Sequence, residues 1–362
     1  MHPLTRSLVI LLVTWTHLGA EDAPAGSGPP PGSSPEKLRE VYAETPVTRS
    51  VDRGLEYLAR AQLGDGSWIS PMGKNTGIVS LAVMAFLAAG HEPGRGKYGE
   101  LIDRALRFIL DHQRDGMIIT NDVSHGPMYE HGISTLLLGE ALGLVNEERP
   151  GFEKIYRVHR SGVNLILRAQ NVPKEASSAG GWRYTPSSID SDLSVTGWQL
   201  LALRAAEDAG LTVPKRNIDE AVDYVKRCAT ISGGFAYTPG GEPNIARTGT
   251  GILALQICGE FQSAEARRGG EWLLKNPLTF QGPFFYYSVY YSSQAMYQLG
   301  GQYWERWRPL SEGLLLANQR PDGSWPAPPN ETHEHQAGPA YTTAMAILGL
   351  TVDYRYLPIY QR

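Results

Sequence analysis

An all-α ring of six helical pairs is the fold this sequence predicts, and three observations predict it. One pattern, an amphipathic helix, a glycine turn and an apolar helix, recurs six times between Arg53 and Ala346 of the 362 residues. The second helix of each pair is apolar almost all round, so it must be covered on most sides. The sixth copy looks like an interior unit rather than a polar cap, which favours a closed ring with the apolar helices inside over an open solenoid.

The first copy runs from Arg53 through Leu55, Leu58 and Gln62 to the turn Asp65-Gly66 and to Trp68; its second helix is Asn75 to Leu87. The second leads from Arg104 to Gln113 and Asp115-Gly116, then to Glu130-His131-Gly132-Ile133. In the third, Gly162 to Gln170 precedes Gly180-Gly181-Trp182 and an apolar run from Leu193. The fourth gives Ala221 to Tyr224, Gly233-Gly234-Phe235, and Arg247 to Leu255. The fifth diverges most, with Arg268 to Leu273, Phe284 to Tyr287, and Tyr291 to Met296. The sixth restores the pattern in Gln319 to Trp325 and Tyr341 to Ala346. Thr76, His131, Thr196, Thr248, Ser292 and Thr342 then form one column, 44 to 65 residues apart, the range of helical-pair repeats. The small residues of this column are expected to let inner helices approach closely, and Trp68, Trp182 and Trp325 to cover the turns.

The run from Arg53 to Trp68 resembles the QW motif of triterpene cyclases: basic, small, two spacers, aromatic, aliphatic, then Gln-x-x-x-Gly-x-Trp. Gln319 to Trp325 matches its second half and the other units match in part, so the resemblance covers roughly residues 45–360. It implies the alpha-alpha toroid, an (α/α)6 barrel shared by squalene-hopene cyclases, protein prenyltransferase beta subunits and complement thioester domains. Such a fold does not choose among their chemistries.

The expected domain organisation is an export signal at 1–25, a Pro/Gly-rich linker at 26–44 and the toroid at 45–362. A basic start ending at Arg6, an apolar run from Leu8 to Leu18 and small residues around Ala20 and Ala23 have the layout of a cleavable signal. That run is short for a membrane span. A secreted or periplasmic monomer with no stable span after cleavage is therefore expected. A formal charge of -4 without a Lys/Arg run removes the electrostatic case for nucleic acid. Cys228 and Cys258 make no disulfide framework. Near opposite ends of an antiparallel helix pair they would lie about 20 Å apart, and both are expected to be reduced.

In such a ring every inner helix begins at the same end, so one mouth gathers Asn75, His125, Glu130, His131, Asp190, Asp192, Glu242, Asn244, Arg247, Tyr286, Tyr287, Tyr290, Tyr291 and Tyr341. Asp190-Ser191-Asp192-Leu193-Ser194 resembles the Asp-x-Asp-Asp-Thr motif of squalene-hopene cyclases, whose second Asp is the proton donor. The resemblance implies that role for Asp192, with Asp190 beside it. Leu193 stands where those enzymes have an Asp, and this chain has length for one toroid where they have two. Protonating an alkene needs an acid kept protonated and a dry cavity whose aromatic faces stabilise a cation. Trp198, Tyr287, Tyr291 and Tyr341 are the expected faces. Glu130, His131 and Arg247 complete the expected ligand-binding set, Arg247 facing either an anionic group or an internal partner, Asp192 or Glu242. The expected function is to bind or isomerise an apolar isoprenoid, in the manner of a terpene cyclase if catalytic.

Prenyl transfer would need a zinc held by Asp, Cys and His, and Thr342 occupies the place of that His. Thioester chemistry would need a Gly-Cys-Gly-Glu-Gln run, which is missing. Two alternatives stay open. One is a toroid that binds or cleaves a carbohydrate polymer, pairing Asp190 or Asp192 with Glu130 or Glu242; the other is a non-catalytic scaffold for proteins. His333 and His335, with His125, His131 and Asp192, have the ligand types for a divalent ion. A short His-x-His on a loop is usually solvated, so neither metal nor cofactor is expected. Asp190 and Asp192 also have a plainer reading as helix caps. A greasy lower cavity would favour the isoprenoid, an open groove the glycan, and a ring filled by side chains the scaffold.

Overall fold

The computed structural model describes residues 44–120 and 126–361. The expected export signal, the linker up to residue 43, and His125 lie outside the described residues. Among the described residues no helix is long and apolar enough to cross a membrane.

Twelve α-helices among the described residues alternate between two concentric rings. The outer set is α1 (Pro46–Ala61), α3 (Gly99–Asp111), α5 (Phe152–Gln170), α7 (Lys215–Arg227), α9 (Ala264–Lys275) and α11 (Gly301–Asn318). The inner set is α2 (Thr76–Ala88), α4 (Pro127–Leu144), α6 (Leu193–Asp208), α8 (Ile245–Ile257), α10 (Phe285–Leu299) and α12 (Thr332–Leu350). Two short hairpins, β1 (Ile69–Ser70) with β2 (Gly73–Lys74) and β3 (Gln113–Arg114) with β4 (Met117–Ile118), fill the first two turns.

Periodicity sorts the helices. In α1 only Ser50, Val51, Gly54, Leu55 and Leu58 are buried, a single stripe, whereas every residue of α2 is buried. Each inner helix packs on the next, and α12 packs on α2, so the ring is closed. The predicted (α/α)6 barrel is the fold observed.

The Gln that follows or ends an outer helix ties its own turn to the next outer helix. Gln62 Nε2 donates to the carbonyls of Gly66 (3.1 Å) and Leu101 (2.9 Å). Gln170 does the same to Gly180 and Asn217, both at 2.8 Å. Gln319 reaches Gly323 (3.0 Å) and, closing the ring, Ser50 of α1 (2.8 Å). Trp68, Trp182 and Trp325 donate their indole N–H groups to Leu58, Ile166 and Leu315 of the preceding outer helix, so they are structural, as expected. Gly66 and Gly323 sit at φ 91° and 94°, and a Cβ there would lie 2.3 Å from the Arg104 carbonyl and 2.2 Å from that of Arg53.

The small-residue column does a second job that spacing alone does not reveal. Thr196 accepts from the backbone N–H of Trp182 and Thr248 from that of Phe235, both at 3.0 Å; Thr343, next to Thr342, accepts from Trp325 at 3.2 Å. Each pins the end of its turn to an inner helix. Glycine beside the column gives a close approach: a Cβ on Gly249, next to Thr248, would meet the Ser292 N at 2.6 Å.

At the far end the chain stops its own ring. The 3-10 turn Pro358–Tyr360 packs on α4 and α6, with the Ile359 N–H on the Glu140 carboxyl (3.3 and 3.4 Å) and the Tyr360 hydroxyl bonded to that of Tyr290 (2.7 Å). Cys228 and Cys258 end α7 and α8 and are not bridged.

Candidate functional site

A cavity of about 510 Å³ opens among the first turns of the six inner helices. Its lower wall is apolar, from Ile78 and Leu81 of α2, Ile133 of α4, Trp198 of α6 and Ala246 of α8. Trp198 stacks on Tyr290, ring centroids 5.7 Å apart, and Tyr290 rests on Tyr360, so the floor is a sealed aromatic layer. Tyr129, Tyr184, Tyr237, Phe284, Tyr287 and Tyr341 complete the aromatic wall. The size is in the range of pockets that enclose one small ligand.

The polar groups divide into those that face this space and those that do not. Glu130 faces it. Its Oε2 accepts four bonds, from the N–H (3.0 Å) and hydroxyl (2.9 Å) of Thr76 and the N–H (3.2 Å) and hydroxyl (2.9 Å) of Thr120, while its Oε1 has no partner. One oxygen thus caps α2, and the other is buried without a partner.

His131, expected beside it, is not on the cavity wall. Its Nδ1 accepts from the Ile118 N–H (3.2 Å) and its Nε2 bonds the Gly162 carbonyl (3.1 Å), so it fills the structural place of the threonines in its column. Burial lowers its pKa to about 4, leaving a neutral ring.

Asp192 is fully buried and is the N-cap of α6, its Oδ1 accepting from Val195 N at 2.9 Å. Burial raises its carboxyl to about 6, opposed by the Val195 N–H and by Arg183, whose Nε lies 4.0 Å from Oδ2. It does not itself line the cavity; its neighbour Ser194 and the ring of Tyr237 do. Asp190, two residues earlier, is exposed and pairs with Arg183 at 3.0 Å, outside the cavity. The expectation that both aspartates stand in the mouth is corrected: the chain turns between them, and α6 draws only Asp192 inward.

Arg247 lies on the wall with its guanidinium 4.9 Å from the Tyr237 ring, and it makes no ion pair with Asp192 or Glu242. Glu242 is exposed. Trp198, Tyr287 and Tyr341 line the cavity as expected, but Tyr291 is fully buried behind the wall, against Trp198 and Tyr287.

The residue that sequence reasoning passed over is Glu334. Read as the middle of a loop His-x-His, it is buried on the cavity wall and caps α10, its Oε1 accepting from the N–H groups of Tyr286 (2.7 Å) and Tyr287 (3.3 Å). Its Oε2 has no partner. Burial raises its pKa to about 8 against those two N–H groups, which favours the protonated form. The available signal was its place: like Glu130, it is a carboxylate in the first turn of an inner helix. His333 leans on Phe284 and on Glu331, and His335 is exposed. Among the described residues no three His, Cys, Asp or Glu side chains converge as a metal site would need.

A closed ring of six helical pairs around an aromatic cavity defines an alpha-alpha toroid protein. The family model of the prenyltransferase alpha-alpha toroid domain matches residues 122–285. No curated protein matches the sequence. Among solved structures, it is similar to the type II terpene cyclase MstE from Scytonema, with 16% identity and a TM-score of 0.58 over 84% of this chain and 97% of that one. A protein geranylgeranyltransferase-I of Candida albicans, complexed with GGPP, shares 14% identity at TM-score 0.53, covering 86% and 94%. A glycosidase variant shares 11% at TM-score 0.57, covering 90% and 100%. At these identities the likeness is one of fold.

Proposed function

We propose that this chain binds a linear isoprenoid in the central cavity and starts its isomerisation or cyclisation with a proton from a buried carboxylic acid. The observation that carries the reading is the cavity itself: apolar below, aromatic on its sides, sealed at the floor, with buried carboxyl groups at its rim. Ring faces of this kind stabilise a cation moving along a hydrocarbon chain. MstE variants of the same fold hold geranylgeranyl dihydroxybenzoate. Two buried acids with raised pKa values could supply that proton: Asp192, which the cyclase-like stretch suggests, and Glu334 on the cavity wall. On this reading the protein works after export, with the signal in residues 1–25.

The test is incubation of the toroid with polyprenes in D2O, reading binding by Trp fluorescence and product by mass spectrometry. Saturable binding and a cyclic isomer carrying deuterium are the expected results. If no polyprene binds, the reading fails.

A second reading has one observation behind it. Glu130 and Glu334 both line the cavity, and each has a buried carboxyl oxygen without a hydrogen-bond partner; a glycosidase uses residues of this type as acid and base. Release of reducing sugar from a glycan panel, abolished in Glu130→Gln, is the outcome that would favour it.

A further inference from the structure

Resting on the isoprenoid reading, we propose that Glu334 is the acid that meets the ligand, presenting its Oε2–H into the cavity and protonating a ligand alkene. Three observations carry this. Glu334 lies on the cavity wall at 2% exposure, whereas Asp192 stands behind Ser194 and Tyr237. Oε1 is committed to the N–H groups of Tyr286 and Tyr287, which leaves Oε2, without a partner, as the oxygen that carries the proton. Among the described residues no Lys, Arg or His side chain bonds the carboxyl. The titratable groups around it are Glu331, His333, Tyr286, Tyr287 and Tyr341, with Arg320 near Tyr286. Glu331 is itself occupied by the N–H groups of Phe284 and His333.

The step balances without a co-reactant. The Oε2–H bond breaks, the alkene π pair forms the new C–H bond, and the adjacent carbon becomes the cation that the next alkene captures. A C–H bond beside the last cation then breaks, its electron pair forms the product alkene, its proton passes to solvent water, and water returns a proton to Glu334, so the product is an isomer. The carboxylate left behind keeps its two N–H bonds at the N-terminus of α10, where the helix dipole favours negative charge. The acid is thereby built to be neutral before transfer and stabilised after it.

The two acids are separable by pH. A general acid is active below its pKa and lost above it, so turnover should persist to about pH 8, the range of Glu334, and not end near pH 6, the range of Asp192. Glu334→Gln keeps the Oε1 acceptor, so it should fold and still bind polyprene, and lose about 10²- to 10⁴-fold in turnover. Glu334→Asp should recover part of that rate. A rate that falls at pH 6, or full turnover in Glu334→Gln with loss in Asp192→Asn, overturns the assignment and leaves the isoprenoid reading standing. If no polyprene binds any variant, infrared difference spectra of wild type against Glu334→Gln at pH 7 still decide whether the site carries the acid. A protonated carboxyl band lost in the variant supports the assignment; its absence from wild type overturns it.

Discussion

The side chain of Gln319, just after the sixth outer helix, donates a hydrogen bond to the carbonyl of Ser50, in the first turns of the first helix, at 2.8 Å. It repeats across the closure point the bond that Gln62 makes to Leu101 within the chain. The seam of the ring is therefore built like its interior. Replacing Gln319 by Ala removes two bonds to backbone carbonyls and strands Arg53, which also bonds the Gln319 oxygen. A loss of about 2 kcal/mol is expected, equal within error to that of Gln62→Ala, by chemical denaturation. No loss at Gln319 would mean an open solenoid.

Close inner-ring packing makes two glycines respond with opposite signs. In Gly249→Ala the new Cβ would lie 2.6 Å from the backbone N of Ser292, so α8 and α10 must separate; a loss of about 1–3 kcal/mol is expected. Gly313, inside outer helix α11, has open space where a Cβ would stand, with nothing within 4 Å. Gly313→Ala should therefore gain about 0.5–1 kcal/mol. Paired thermal melts check both.

Two buried groups shape the pH dependence of stability. The carboxyl of Glu140, under the Pro358–Tyr360 turn, is raised by burial to about 8. A group raised in the folded state contributes most at low pH, and that contribution is lost as pH climbs from the unfolded carboxyl range through about 8. Glu140→Gln should flatten that decline and be the more stable protein at pH 9. His131 acts at the other end: held neutral with a pKa near 4, it costs stability as pH falls below about 6.5, on the order of 3 kcal/mol at full extent. Denaturation midpoints from pH 4 to 9 measure both limbs.

Both thiols should be silent in the native state. Burial pushes Cys228 and Cys258 up to about 12, so neither offers thiolate at neutral pH. A disulfide-exchange reagent is expected to titrate no thiol in native protein and two in denaturant; fast native labelling of Cys228 would show that α7 opens.

The ring was legible because its signals are local. Gln62, Gly66 and Trp68 recur as Gln319, Gly323 and Trp325, and each answers a short-range demand: a carbonyl to satisfy, a positive φ, a turn to cover. Trp198, Tyr287 and Tyr341 were legible as cavity residues for the same reason, since their place follows from the helix they start. His131 was not. Its two bonds go to Ile118 in β4 and Gly162 in α5, and spacing does not announce either.

The sequence by itself determined six amphipathic and apolar helix pairs, their order and their closure, because hydrophobic period and turn chemistry act within a few residues. Only the tertiary structure decided which carboxyl groups matter. Asp190 and Asp192 are two residues apart, yet one is solvated and the other sealed; Glu334, inconspicuous in a polar stretch, takes its hydrogen bonds from α10 in the neighbouring unit. The protonation of an acid depends on the water it loses and the donors it gains. Here other helices supply both.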